Sequence, residues 1–115
     1  MRLVGVAVAR RAGVADDQLD EVRLAIGEAC ARAVARHQRL GLRDAIEVSF
    51  TDGDRYLVKV VDRAAEAEQI DGEEQLAIDV SATLLQGLVK DLRMSPLESG
   101  AGTEVQMSWP VRKRR

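Results

Sequence analysis

The chain has 115 residues, which is enough for one domain with a single hydrophobic core and too few for two. Its formal net charge of −2 gives no overall field that would draw it to nucleic acid or to an anionic membrane. With only one Phe, one Tyr and one Trp it lacks a base-stacking surface, and no apolar run reaches membrane-spanning length.

Two helices are predicted in the first third of the chain. The Ala- and Val-rich segment 2–12 predicts a short helix that ends at Gly13. Asp16 or Asp17 can cap a longer helix, which Gly41 terminates. Its apolar residues recur at helical spacing and predict its buried side. They are Leu19, Val22, Ile26, Ala29, Cys30, Ala33, Val34 and Leu40.

The hydrophobic period then changes from helical to alternating. Apolar and polar residues alternate over 46–50, which predicts a half-buried strand. Asp52 and Gly53 come next as a hairpin signal. Segment 56–61 is apolar at nearly every position, which predicts a central strand of an antiparallel sheet.

The second half begins with an acidic stretch, 63–76, which predicts a mobile loop or a frayed helix. A third helix is predicted over about 77–93, with Ser95-Pro96 breaking it. Segment 99–102 is a flexible approach to a last, cleanly alternating strand over 103–109. The third helix is expected to bury one apolar side: Ile78, Val80, Leu84, Leu85, Leu88, Val89 and Leu92.

This order of elements predicts a two-layer α/β sandwich, with an antiparallel-rich sheet and about three helices on one face. The domain is expected to span 1–111, followed by a basic tail, 112–115, that we interpret as solvated. Cys30 is the only cysteine, so it cannot form an intrachain disulfide, and it is expected to be a buried structural thiol. No signal peptide opens the chain, which favours the cytoplasm.

Few residues point to chemistry on their own. Glu28 and Arg32 lie on a second stripe of the long helix, and an exposed pair at this spacing is worth about 0.3–0.5 kcal/mol. Asp62 ends the apolar strand, either as a turn former or as a hydrogen-bond acceptor at the mouth of a pocket. His37, in the last turn of the helix, suits the helix dipole as a cation and is assigned no catalysis. No metal site is predicted.

Two segments carry a resemblance to a known family. Segment 19–34 reads LDEVRLAIGEACARAV, and segment 99–110 reads SGAGTEVQMSWP. The first resembles the N-box helix of the anti-sigma-factor serine kinases, in which the pattern is L-R-L-A-V-G-E-A-x-x-N-A-V. The second resembles their closing S-G-P-G-G-T-x-V-x-L-x-x-P. The family belongs to the GHKL, or histidine-kinase-like, ATPases, so the resemblance implies their Bergerat-type fold.

The resemblance also implies roles for individual residues. Glu28 matches the general base, Asp62 the acid that receives the adenine amino group, and Thr103 the threonine that supports this acid. Arg32 stands where the family has its Mg²⁺-binding Asn. The resemblance implies that a nucleotide would contact Arg32, Asp62 and Thr103. Glu28 is interpreted as a vestigial base.

The chain departs from the family in the motifs that handle phosphates. Both glycines of the D-x-G-x-G turn are replaced in segment 62–66, and segment 79–82 stands where the family has G-L-G-L. A guanidinium cannot ligate Mg²⁺, and side chains hinder the approach of backbone N–H groups to phosphate. We therefore expect no required cofactor, and any ATP or ADP binding to be weak and independent of Mg²⁺.

Two functions remain open. In one, the protein is an anti-sigma factor that binds a sigma factor, or a partner of an anti-anti-sigma protein, and acts by occlusion without phosphorylation. In the other it is an active serine kinase that phosphorylates an anti-anti-sigma protein; a detached sensor-kinase domain is a further alternative. The family's opening strand is missing, which exposes a sheet edge and predicts either a homodimer or a natural start upstream of Met1. Direct nucleic-acid or membrane binding is not expected.

Overall fold

The computed structural model describes residues 1–64, 72–98 and 100–112. Within these ranges the chain forms three α-helices, a short 3₁₀ helix and four strands. In chain order they are α1 (Arg2–Ala12), the 3₁₀ helix (Asp16–Gln18), α2 (Leu19–Leu40), β1 (Glu47–Thr51), β2 (Arg55–Asp62), α3 (Gly72–Leu88), β3 (Asp91–Pro96) and β4 (Thr103–Pro110).

The four strands form one antiparallel sheet in the order β1-β2-β4-β3. The hairpin predicted at Asp52-Gly53 joins β1 to β2, and Glu47 lies opposite Val61. Strand β2 is central, as its apolar sequence predicted. The predicted fold class, an α/β sandwich with three helices and an antiparallel sheet, is confirmed.

The core lies between the sheet and the helices. Tyr56, Val58 and Val60 of β2 are fully buried beneath α2, whereas the alternate positions are half-buried on the other face of the sheet. Helices α1 and α3 both pack on α2. At Gly5, a Cβ atom would clash with Ile26 Cδ1, so glycine allows α1 its close approach to α2. Tyr56 of β2 joins α1 to the sheet by donating a 2.7 Å hydrogen bond to the Gly5 carbonyl.

The third helix and the segment after it differ from the prediction. Helix α3 covers Gly72–Leu88, so it begins before residue 77 and ends well before residue 93. Residues 91–96 form β3, an edge strand that the sequence did not predict. The helical spacing of apolar residues continues through Leu88, Val89 and Leu92. This spacing concealed the boundary between α3 and β3. Pro96 does not break a helix but ends β3, where an edge strand tolerates its missing N–H.

Burial along the helices also corrects the predicted apolar stripes. Val34, Leu40, Val80 and Leu84 are exposed, while Leu85 and Val89 are buried as expected. On α2, the buried positions include the charged Arg32 and Arg36. Of the stretch 63–76, predicted as a loop or frayed helix, residues 65–71 lie outside the described residues, and α3 already begins at Gly72. Ser99, the tail residues 113–115 and the side chains of Ile78 and Ser81 also lie outside them.

The last described residues of the chain contact the end of α1. Gly13 ends α1 with φ = 101°, a conformation that favours glycine, and its carbonyl accepts a 2.9 Å hydrogen bond from the Arg112 N–H. None of the described helices is long and apolar enough to cross a membrane.

Candidate functional site

The candidate site lies where β2 ends and β4 begins. Asp62 and Thr103 are cross-strand partners at this end of the sheet, which agrees with the resemblance that pairs this acid with a supporting threonine. The Asp62 side chain is almost completely buried, so its charge depends on protein partners and not on water.

Both carboxylate oxygens of Asp62 have close partners. Oδ1 accepts a 3.0 Å hydrogen bond from the Ala64 N–H, which is the turn-forming role that the sequence left open. Oδ2 lies 3.4 Å from Arg36 Nε and 3.7 Å from Arg32 Nη1. One buried carboxylate therefore faces two buried guanidinium groups.

Arg36 connects the two strands across this end of the sheet. Its Nη2 donates to the Ala64 carbonyl at 2.9 Å and to Thr103 Oγ1 at 3.4 Å. Sequence reasoning did not identify Arg36 as a site residue. A signal was present, because Arg36 is one further i+4 step along the helix stripe that already contained Glu28 and Arg32.

Arg32 is the less well compensated of the two cations. Burial lowers the pKa of Arg32, the charge of Arg36 lowers this pKa further, and Asp62 opposes both effects. Its Nε and Nη1 atoms are buried without a hydrogen-bond partner, and so is Arg36 Nε. The ion pairs with Asp62 thus attract by charge without saturating the guanidinium donors.

A cavity of about 510 Å³ opens beside this cluster, between α2 and the β3–β4 connection. Its wall combines the two arginines with hydroxyl, glycine and apolar groups. The lining residues are Arg32, Arg36, Met94, Ser95, Pro96, Gly100, Gly102 and Thr103. Gly102 has φ = 120°, and a Cβ atom there would clash with the Asp62 carbonyl oxygen, so only glycine lets the connection pass this close.

Glu28 lines a different cavity from Arg32 and Thr103. That cavity, of about 490 Å³, is formed by Met1, Arg2, Leu24, Gly27, Glu28, Cys30 and Ala31. The structure therefore brings together Arg32, Asp62 and Thr103, while Glu28, one helical turn before Arg32 on the same stripe of α2, lines this second cavity. Cys30 is partly buried, and burial raises the pKa of its thiol.

His37 binds the backbone directly after the end of β2. Its Nε2 accepts a 2.8 Å hydrogen bond from the Arg63 N–H, and its Nδ1 lies 3.1 Å from the Asp44 carbonyl oxygen. Nδ1 must then be the donor, which makes the ring neutral. The expectation of a cation serving the helix dipole was wrong, because the buried ring is used as an acceptor.

The described residues contain no group of three or more His, Cys, Asp or Glu side chains that could hold a metal ion. The arrangement can attract an anion through its two guanidinium groups.

Comparison with known proteins agrees with this architecture. The family described as histidine kinase-like ATPase domain matches residues 1–109, almost the whole chain. No curated protein matches the chain significantly. With its antiparallel sheet, three helices and acid at the end of the central strand, the chain belongs to the histidine kinase-like ATPase family.

Proposed function

We propose that this protein is an anti-sigma factor that works in the cytoplasm by binding its partner, without phosphorylating it. The observation that carries the proposal is the double pairing of Asp62 with Arg32 and Arg36. The resemblance assigns Asp62 the adenine amino group, so a nucleotide would have to compete with two buried cations for this carboxylate.

The competition is unfavourable for adenine on energetic grounds. An amino group offers a neutral hydrogen bond, whereas the guanidiniums offer charge at 3.4 and 3.7 Å inside the protein. Oδ1 is already occupied by the Ala64 N–H. Displacing Arg36 would also break its hydrogen bonds to the Ala64 carbonyl and to Thr103 Oγ1.

The residues present do not fit Mg²⁺-ATP either. Arg32 stands at the metal position implied by the resemblance and offers only donors and positive charge. Glu28, the implied base, lines a separate cavity from Arg32 and Thr103. Phosphoryl transfer depends on positioning and charge stabilisation, and neither is supported by this arrangement.

Partner binding is supported by the exposed apolar surface on the first two helices. Leu3 and Val4 of α1 and Leu24 of α2 are 80%, 53% and 52% exposed, and Arg10 is exposed further along α1. By the family resemblance, this surface, with Arg10, Arg11 and the start of α2, is the face offered to a sigma factor.

Variants at this surface test the proposal. Leu24→Asp is expected to abolish co-purification with a sigma factor from the same cell and to relieve inhibition in an in vitro transcription assay. Leu84→Asp is the matched control, because Leu84 on α3 is also 52% exposed. Equal binding by both variants, or no effect of the wild-type protein on transcription, would contradict the anti-sigma role.

The kinase alternative makes the opposite prediction about chemistry. An active serine kinase would transfer phosphate from ATP to an anti-anti-sigma protein, and Glu28→Gln would abolish the transfer. We expect no transfer by the wild-type chain. An anti-anti-sigma protein can still be a second partner by displacing the sigma factor.

We also propose a homodimer formed through the open edge of β1. Among the described strands, β1 pairs only with β2, so the other edge of Glu47–Thr51 carries unpaired backbone groups. Sedimentation should give a dimer at high protein concentration, and a monomer throughout would argue against this assembly.

A further inference from the structure

The described lining of the cavity beside Asp62 carries two positive charges and no negative one. Arg32 and Arg36 both line it, and Asp62 supplies a single negative charge behind them. No other acidic side chain lines the cavity in the part of the chain that the structure describes. Among the described residues, the two guanidinium groups therefore share Asp62 as their one counter-ion, and an unbalanced charge is costly at buried positions.

The hydrogen-bonding capacity is also incompletely used. Arg32 Nε, Arg32 Nη1 and Arg36 Nε have no hydrogen-bond partner, although both residues are more than nine-tenths buried. Buried polar groups are normally satisfied by protein, water or ligand. Guanidinium donors in this state match the oxygens of a carboxylate or a phosphate.

The rest of the cavity suits a small organic molecule. Thr103 and Ser95 add hydroxyl groups, Met94 and Pro96 add apolar surface, and about 510 Å³ exceeds what a bare inorganic ion fills. Because Asp62 is already engaged by both arginines, the cavity offers no free carboxylate for a nucleobase amino group.

We propose that this cavity binds a small organic anion, with a carboxylate or phosphate head on Arg32 and Arg36, without a nucleobase or Mg²⁺. The head group supplies the missing negative charge, and the apolar wall holds the remainder of the molecule. The inference does not need the sigma-factor partner, so the failure of one proposal leaves the other standing.

The test uses the whole wild-type protein in solution. Amide and arginine side-chain NMR signals are followed while inorganic phosphate or benzoate is added at constant ionic strength. We expect saturable shifts at Gly100, Gly102 and Arg32 Nε–H, unaffected by adenosine or Mg²⁺. Comparison of the phosphate and benzoate titrations shows which head group is preferred. It also shows whether an apolar body improves binding.

Variants then assign the site. Arg32→Gln should weaken binding about tenfold or more, since it removes charge-assisted hydrogen bonds. Arg23→Gln removes the same charge from an exposed pair with Asp20 and should leave the affinity unchanged. The wild-type shifts remain decisive if Arg32→Gln does not fold.

Three results would overturn the proposal. The first is the absence of saturable shifts with both anions. The second is equal binding by Arg32→Gln and wild type. The third is competition between adenosine and the anion, which would indicate that the cavity recognises nucleotides.

Discussion

The two ends of the β2–β4 strand pair bury different chemical groups. At one end Tyr56 lies opposite Trp109, with ring centroids 6.0 Å apart, and the Tyr56 hydroxyl donates to Gly5. At the other end Asp62 lies opposite Thr103, and two guanidiniums approach one carboxylate. The same two strands thus carry an aromatic, neutral end and an ionic end.

The two ends differ in how many of their buried polar groups are paired. The aromatic end contains one unpaired donor, the neutral Trp109 Nε1. Among the residues that the structure describes, the ionic end contains three donors on charged groups without a hydrogen-bond partner, beside a cavity. Because an unpaired charge costs more than a neutral donor, the ionic end is the one that a ligand or partner can stabilise.

The largest effect is expected from removing the central charge of the ionic end. Asp62→Ala leaves Arg32 and Arg36 buried without their counter-ion and should lower the free energy of unfolding by about 3–5 kcal/mol. Urea denaturation measures this change. The control is Glu104→Ala, which breaks only a part-exposed pair with Lys59. Similar stabilities for the two variants would contradict the comparison.

A backbone change at the same end should have the next largest effect. Gly102→Ala combines a conformation that side chains rarely adopt with a clash against the Asp62 backbone, so it should cost at least about 1–3 kcal/mol. Thermal unfolding compares it with Gly53→Ala, because nothing lies within 4 Å of a Cβ at Gly53. A tolerated Gly102→Ala would mean that the β3–β4 connection does not pass as close to Asp62.

At the aromatic end, Tyr56→Phe should destabilise by about 1–3 kcal/mol, because the buried Gly5 carbonyl loses its donor. Chemical denaturation near neutral pH measures the difference. A change below about 0.5 kcal/mol, the usual size for surface substitutions, would show that the hydroxyl is not needed to join α1 to the sheet.

The smallest expected effect is a pH dependence of the stability difference between wild type and Tyr56→Phe. Burial raises the pKa of Tyr56 above its ordinary value of 10.0. The neutral phenol therefore stabilises the fold fully below about pH 10, and this contribution is lost as the pH rises above it. The stability gap between wild type and Tyr56→Phe should shrink above about pH 10. A gap that is constant or widens there would contradict the assignment.

Much of the fold could be predicted because its signals are local and periodic. The long helix, the hairpin after β1 and the central β2 follow from spacing and turn residues. The neighbouring positions of Asp62 and Thr103 followed from the family order. The β3 strand was missed because Leu88, Val89 and Leu92 keep a helical period through a change of structure, and only pairing with β4 decides it.

The site was harder to predict because its partners are set by tertiary contacts. Arg32 was expected to meet Glu28 along the helix, but its ion-pair partner in the core is Asp62. Arg36 follows the same stripe, yet an arginine on a helix is usually exposed, and the sequence gives no sign that a strand end covers it. His37 was misassigned for the same reason, since its donor, the Arg63 N–H, is far away in sequence.

The central claim is that Arg32 and Arg36 engage the Asp62 carboxylate. The family resemblance implies that this carboxylate would otherwise bind the adenine amino group. Calorimetric titration of ATP into the wild-type protein, with and without Mg²⁺, tests it most directly. The account predicts weak binding at most, with the same affinity in both titrations. Tight binding that requires Mg²⁺ would contradict it and would favour an active kinase.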